Sequence, residues 1–391
     1  MKKIRIISLC LVSAVVTQMS LVAAETGGVL DWLTVANRLR LEYDDNIYQR
    51  ETDKVDSFKI LNEINLGVTL DLEPTFITLR YRPSFAWWSD REPDGTDLHH
   101  DLDLVINHRF SPRAAIGIKN TFRIAEQPEE IDRGVTIREK DDYLYNVTDA
   151  NLDLQVLPRT YVVIGGRYTI LEYDRDDVAA TDNYDIWAAG VTLRQKLSDF
   201  TTVMAEYRRE EISYDLSKRG SDSDFYGVGI EHTASKSFVG TLRAGQQDKK
   251  FKDASLGDET EPYADATITY IHSPRTRLSL GGGYSMYEAD VFPYVSQNRT
   301  IVFGSVAHDL TAKLSLYGTL SYQLSEYDAD QALDAASVGG DEEISQAALR
   351  VAYRLDARNS LELNYQYIDV SSDLREDFDR NRVSLGWRLD L

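Results

Sequence analysis

The chain has 391 residues, 43 Lys+Arg against 64 Asp+Glu, and a formal net charge of −21. That acidity excludes a nucleic-acid binder, because no basic stripe offsets the repulsion of phosphates. A mean hydropathy of −0.37 excludes a bundle of transmembrane helices, and 42% hydrophobic residues are too many for wholesale disorder.

Met1-Lys2-Lys3-Ile4-Arg5 is a short basic start, Ile6 to Val22 is largely apolar, and Val22-Ala23-Ala24 offers a small-residue cleavage site. The pattern predicts a secretory signal peptide over 1–24, with 25–391 as the mature domain. Cleavage there removes Cys10, the only cysteine, so no disulfide framework is available. After Ala24 no apolar run is long enough for a membrane helix. A membrane-spanning fold then has to be a closed β-barrel, the other structure that satisfies its own backbone in lipid.

The mature sequence alternates apolar and polar residues, as in Leu314-Ser315-Leu316-Tyr317-Gly318-Thr319-Leu320 and Leu361-Glu362-Leu363-Asn364-Tyr365. A period of two means two-faced strands rather than helices. Tight turns are predicted around Pro74, Pro112, Pro158, Ser198, Ser235, Pro274, Thr311 and Ala357, between 37 (198 to 235) and 46 (112 to 158) residues apart. Each of these eight turns is flanked by two strands. One more strand near Thr34–Asp44 and one near Asp379–Leu391 bring the total to eighteen.

The opposite connections are longer and acidic. Residues 126–141 hold Glu126, Glu129, Glu130, Asp132, Glu139 and Asp141; residues 172–177 and 326–343 are similarly rich in carboxylates. The expected fold is therefore all-β, a transmembrane antiparallel up-and-down barrel of about 18 strands with short periplasmic turns and long acidic outer loops. A soluble β-propeller has a repeat of about 40 residues too, but a blade needs four short strands where this chain shows two long ones.

Aromatic residues gather near the strand ends on the long-loop side: Tyr43, Tyr48, Trp87, Trp88, Tyr143, Tyr145, Tyr173, Tyr214, Tyr287 and Tyr327. Their expected use is an interfacial girdle on the outer wall. A stacking track for sugar rings inside the lumen is the competing reading. In the last strand Val383, Leu385, Trp387, Leu389 and Leu391 share one face. Outer-membrane barrels resemble one another at this strand, which implies contact with the outer-membrane assembly machinery, although Leu391 stands where an aromatic residue is commonest.

The first strand reads Arg38-Leu39-Arg40-Leu41-Glu42-Tyr43-Asp44-Asp45-Asn46-Ile47-Tyr48. A strand ending in Asp-Asp-Asn-Ile resembles the opening of the putative beta-barrel porin 2 family. The resemblance implies a porin-like barrel in a Gram-negative outer membrane, and a link to exopolysaccharide export, with which some members are associated.

On the strand faces opposite the apolar ones lie Arg80, Arg82, Lys119, Arg123, Arg167, Arg208, Arg243, Arg277, Arg350, Arg354, Arg382 and Arg388. Glu63, Asp71, Asp101, Asp103, Asp153, Glu206, Glu362 and Asp390 share those faces. Charged rings in a lumen set selectivity, so the cationic excess suggests a bias toward anionic solutes such as acidic sugars. Ion-paired filling of the lumen is the alternative. Loops 126–141 and 326–343 are long enough to fold inward and constrict it. The acidic loops could bridge to lipopolysaccharide through divalent cations, or form a solvated rim.

The six histidines (His99, His100, His108, His232, His272, His308) show no metal-ligand spacing, and no Gly-x-Ser-x-Gly elbow or phosphate-cradling loop occurs. No catalytic residue, metal or cofactor is expected. The reading is a passive channel for small or oligosaccharide solutes. The alternatives are a closed docking barrel of a surface or secretion assembly and, third, a barrel enzyme acting on envelope lipid.

Overall fold

The computed structural model describes residues 32–91, 95–125, 129–131, 135–137, 141–334 and 336–391. The expected signal peptide lies outside them, as does most of the acidic segment 126–141. Strands β1 (Leu33–Asp44), β2 (Ser57–Leu72), β3 (Thr75–Trp88), β4 (Thr96–Ser111) and β5 (Ala114–Ala125) come first. A separate two-stranded hairpin, β6 (Glu129–Ile131) and β7 (Val135–Ile137), follows. Next are β8 (Tyr143–Leu157) and β9 (Thr160–Tyr173), the helix α1 (Asp176–Asp182), then β10 (Tyr184–Lys196), β11 (Thr201–Tyr214), β12 (Ser221–Ser235) and β13 (Phe238–Phe251). The chain continues with β14 (Glu259–Ser273), β15 (Thr276–Glu288), β16 (Ser296–Asp309), β17 (Leu314–Tyr327), β18 (Gly340–Arg354), β19 (Asn359–Ser372) and β20 (Phe378–Asp390).

All but β6 and β7 join one antiparallel sheet of 18 strands, each paired to its chain neighbour, and β1 closes on β20. Closure leaves no edge, which is what lets strands stand in lipid. The eight short turns fall where the alternation breaks. That between β12 and β13 sits at Lys236–Ser237, just after the predicted centre, where a register shift between Thr233 and Ser235 uses an extra residue.

The outward faces carry an apolar belt. Leu41, Leu278, Leu280, Leu320, Leu349 and Leu385 are between 41% and 66% exposed. A propeller would bury this face; here it encircles the sheet and has to be covered by hydrocarbon. Tyr43, Phe58, Phe85 and Trp87 mark its long-loop margin, and Phe110, Phe200, Phe238 and Trp387 the short-turn margin. Three histidines near the short turns hydrogen-bond to the first threonine of a neighbouring strand: Thr75–His108 (2.8 Å), Thr201–His232 (2.9 Å) and Thr276–His308 (2.8 Å).

The girdle expectation fails for several residues. Tyr143, Tyr145, Tyr173, Tyr214, Tyr327 and Trp88 are all buried on the inner face. Strand parity is the reason: Tyr173 is six residues from Arg167 and Tyr214 six from Arg208, so each shares the face of its arginine. Trp88 lies under the Lys59 ammonium, 4.5 Å from the ring centroid, and its Nε1 donates to Asp97 (2.9 Å).

The Asp-Asp-Asn-Ile segment is a seam. On the β20 side β1 is paired over nine residues, Ala36 to Asp44, against all twelve on the β2 side. Its outer end is reinforced by side chains. Arg380 donates from Nε to both Asp44 oxygens (2.9 and 3.0 Å), with both residues buried. Asp45 accepts from the backbone N–H and the amide of Asn381 (2.7 and 2.8 Å), and Asn46 Nδ2 donates to the Asp379 carbonyl (2.9 Å).

Gly281-Gly282-Gly283 marks a departure. β15 stays registered with β14 only up to Ala264↔Tyr284, whereas its pairing with β16 runs on to Glu288↔Ser296. The end of β15 therefore leaves the β14 wall, and residues 289–295 turn into the lumen. A Cβ at Gly282 would stand 2.8 Å from the Ile301 carbonyl oxygen of β16. Gly282→Ala is expected to cost about 1–3 kcal/mol, since backbone must yield, and to lower the urea midpoint of the folded barrel accordingly.

Candidate solute path and its outer constriction

Register closes consistently around the barrel, so the inner face is defined strand by strand. Arg80 and Arg82, Lys119 and Arg123, Arg167, Arg208, Arg243, Arg277, Arg350 and Arg354, Arg382 and Arg388 all fall on it, opposite the exposed apolar side chains. Several are paired there: Arg82 with Asp103 (3.1 Å), Arg123 with Asp101 (2.7 Å), Arg167 with Asp149 (3.1 Å) and Arg388 with Asp390 (2.7 Å). Glu362 is shared between Arg38 and Arg350. Arg80, Lys119, Arg208, Arg243, Arg277 and Arg354 form no ion pair among the described residues.

The sequence reading did not identify the buried cations Lys59, Arg91, Lys249, Arg219, Arg299 and Arg380. Arg299 and Arg380 share strand parity with lumen-facing neighbours and were legible on that ground. Arg219, in a loop, had no such signal.

At the long-loop end three connections fold over the lumen. Helix α1 lies on the β8–β9 wall, with Val178 in a cluster that holds Tyr143, Tyr145, Val147, Leu171 and Tyr173. Asp176 and Asp177 suit its first turn, where the helix dipole favours negative charge. The 289–295 loop packs Ala289 and Tyr294 against Tyr327 and Ala332, and Val295 N–H donates to the Gln331 carbonyl (2.9 Å). Part of the predicted constriction over 326–343 is thus present, while α1 and 289–295 are additional. Val291-Phe292-Pro293-Tyr294-Val295 is an apolar run in a loop, a signal that it does not simply face water.

Arg219 ties these pieces together. It is 1% exposed; Nη1 donates to the Thr181 carbonyl (2.8 Å) and Asp182 (2.7 Å), and Nη2 to the Ala289 carbonyl (2.6 Å). Its guanidinium lies 4.6 Å from the Tyr214 ring centroid. Asp290 adds a second anchor, accepting from Gln297 (3.0 Å), Arg299 (3.3 Å) and the Tyr327 hydroxyl (2.5 Å).

Below this cover lies a cavity of about 680 Å³. Its wall mixes cations (Arg167, Arg208, Arg243, Lys249), carboxylates (Glu206, Glu210, Asp265) and rings (Tyr214, Phe225, Tyr263, Tyr284). Of the buried tyrosines that left the girdle, Tyr145, Tyr173 and Tyr214 contribute to it. Among the described residues no group of three or more His, Cys, Asp or Glu is placed to hold a metal ion.

Solved structures of Occ proteins share this fold. OccAB2 of Acinetobacter baumannii aligns with a TM-score of 0.52 at 10% identity, covering 92% of this chain and 98% of that one. OccK2 (OpdF) of Pseudomonas aeruginosa aligns at 0.51 and 11% identity, covering 93% and 99%. A second OccK2 structure, in complex with glucuronate, aligns at 0.50 and 12%, covering 93% and 100%. At these identities the likeness is one of fold. None of the curated proteins matches the chain. The family model described as putative beta-barrel porin 2 matches residues 144–391, most of the barrel from β8 onward, and the chain belongs to that family.

Proposed function

We propose that the protein is an outer-membrane channel for passive passage of small solutes, with a preference for anions. The observation that carries this is the cavity beneath the inward-folded loops, whose wall presents Arg208 and Arg243 held in no salt bridge among the described residues, although Asp265 stands across the strand from Arg243. An aqueous lumen is what a closed barrel of about 16–18 strands leaves when it is not filled, and unpaired cations in a low-dielectric wall favour anions over cations. The glucuronate complex of OccK2 is a precedent for a small anion in a barrel of this fold. The cavity volume lies in the range of about 300–1,000 Å³ typical of small-molecule sites. That size suits one or two sugar units; passage of an exported polysaccharide would need the covering loops to move aside.

Single-channel recording of the purified protein in planar bilayers tests this reading. Discrete conducting steps are expected, with reversal potentials in asymmetric KCl that favour chloride. Cation preference would instead make the acidic loops the controlling field and overturn the anionic bias. The second reading, a non-conducting docking barrel, draws on the loops tied by Arg219 and Asp290. A folded, heat-modifiable barrel that never conducts would establish it.

A further inference from the structure

We propose that the β11–β14 wall holds a docking site for a single acidic sugar ring, with Tyr263 as its stacking platform and Arg208 and Arg243 as receivers of the carboxylate. The proposal rests on the channel reading and names its solute class.

Three luminal rungs build the site, given by the strand register. The upper rung is Arg208↔Phe225↔Gln247, the middle Glu206↔Gly227↔Gly245↔Tyr263, and the lower Met204↔Gly229↔Arg243↔Asp265. In the middle rung the Tyr263 ring crosses both glycines and its hydroxyl donates to Glu206 on β11 (3.0 Å). A Cβ at Gly227 would collide with that hydroxyl, and one at Gly245 would stand 2.6 Å from the ring carbons. The glycines let the ring lie flush on the wall with its other face toward the cavity. Such a ring face matches the apolar C–H face of a pyranose.

The cations stand above and below this platform. The Arg208 guanidinium lies 3.9 Å from the Phe225 ring centroid, so stacking rather than a carboxylate positions it. Its planar fork is suited to a bidentate carboxylate. Gln247 is 2% exposed, lines the cavity, and its Oε1 has no hydrogen-bond partner. A buried amide oxygen without a donor is costly, and a ligand hydroxyl would satisfy it. Glu206 and Asp265 line the same cavity and add acceptors. Acceptors around the ring favour a hydroxylated solute over a bare aromatic acid, which brings no O–H donors.

The test is block of the KCl current by glucuronate, with galactose and benzoate as comparison solutes. Glucuronate is expected to block at a concentration at least about tenfold lower than either, since each lacks one of the two recognition elements. Tyr263→Ala, and Gly227→Ala, which displaces the same ring, are each expected to raise the half-blocking glucuronate concentration about tenfold. Tyr263→Phe keeps the ring and should retain most of the block. Arg208→Gln should remove the advantage of glucuronate over galactose. Heat-modifiable mobility shows that each variant is folded. Equal block by the three solutes, or an unchanged half-block in folded Tyr263→Ala, overturns the site. If the barrel does not conduct, equilibrium dialysis of labelled glucuronate against the detergent-folded protein decides separately. Binding lost in Tyr263→Ala keeps the site while the channel reading fails, and absent binding overturns the site itself.

Discussion

Arg219→Ala is expected to open the outer mouth of the barrel. The side chain is 1% exposed and bonds α1 and the 289–295 loop at once, through Thr181, Asp182 and Ala289. Its loss leaves two carbonyls and a carboxylate without those donors, a penalty of about 3 kcal/mol. The cost falls on the covering loops and not on the strand ladder, so local opening should precede any global loss of stability. Single-channel conductance should rise about twofold or more, with greater open-channel noise as the loops move in the current path. The heat-modifiable transition should change little. Arg219→Lys keeps the charge but not the planar fork and should fall between the two. An unchanged conductance and noise level in Arg219→Ala would mean that the loops are held elsewhere, with Asp290 the first place to look.

Asp44→Ala is expected to weaken the barrel where its first strand meets its last. Asp44 and Arg380 are 0% and 4% exposed, and removing one partner of a buried pair costs about 3–5 kcal/mol because the other charge stays unpaired. The β1–β20 pairing spans fewer residues of β1 than the β1–β2 pairing, so less of the ladder remains to compensate. The temperature at which the folded band converts to the unfolded one should fall. Asp44→Asn, which keeps acceptor capacity, should fall less. Anion preference should be unaffected in the surviving folded fraction. A transition temperature equal to that of the unaltered protein would show that backbone pairing alone closes the seam.

The strands, turns and inner faces were legible because each depends on residues adjacent in sequence. A side chain's face in a strand follows from counting by two, so Arg167, Arg208 and Arg350 could be placed on the inner face without any knowledge of their partners. The same counting applied to Tyr173 and Tyr214 would have moved them from the girdle to the inner face. That miss came from reading chemical type ahead of parity. The ion pairs were less legible: Arg38 and Glu362 are separated by more than 300 residues and meet only because β1 closes on β20, whose other neighbour is β19. The Asp-Asp-Asn-Ile segment was visible as a motif, but its work as a seam was not, since Arg380 and Asn381 lie at the far end of the chain.

Alternation of apolar and polar residues, broken at regular intervals by short turns, determined the sheet, the strand number and the apolar belt. Hydrogen-bonded closure and hydrocarbon contact admit few arrangements of such strands. Tertiary structure alone decided what the lumen contains. Whether a long connection turns outward to water or inward onto the wall depends on contacts such as Arg219 with Ala289, or Tyr294 with Tyr327, between segments from different hairpins. Those contacts weigh local loop entropy against burial and buried hydrogen bonds made at long range. No pattern within a loop expresses that balance, and at the outer mouth it shapes both the cavity and the route a solute would take.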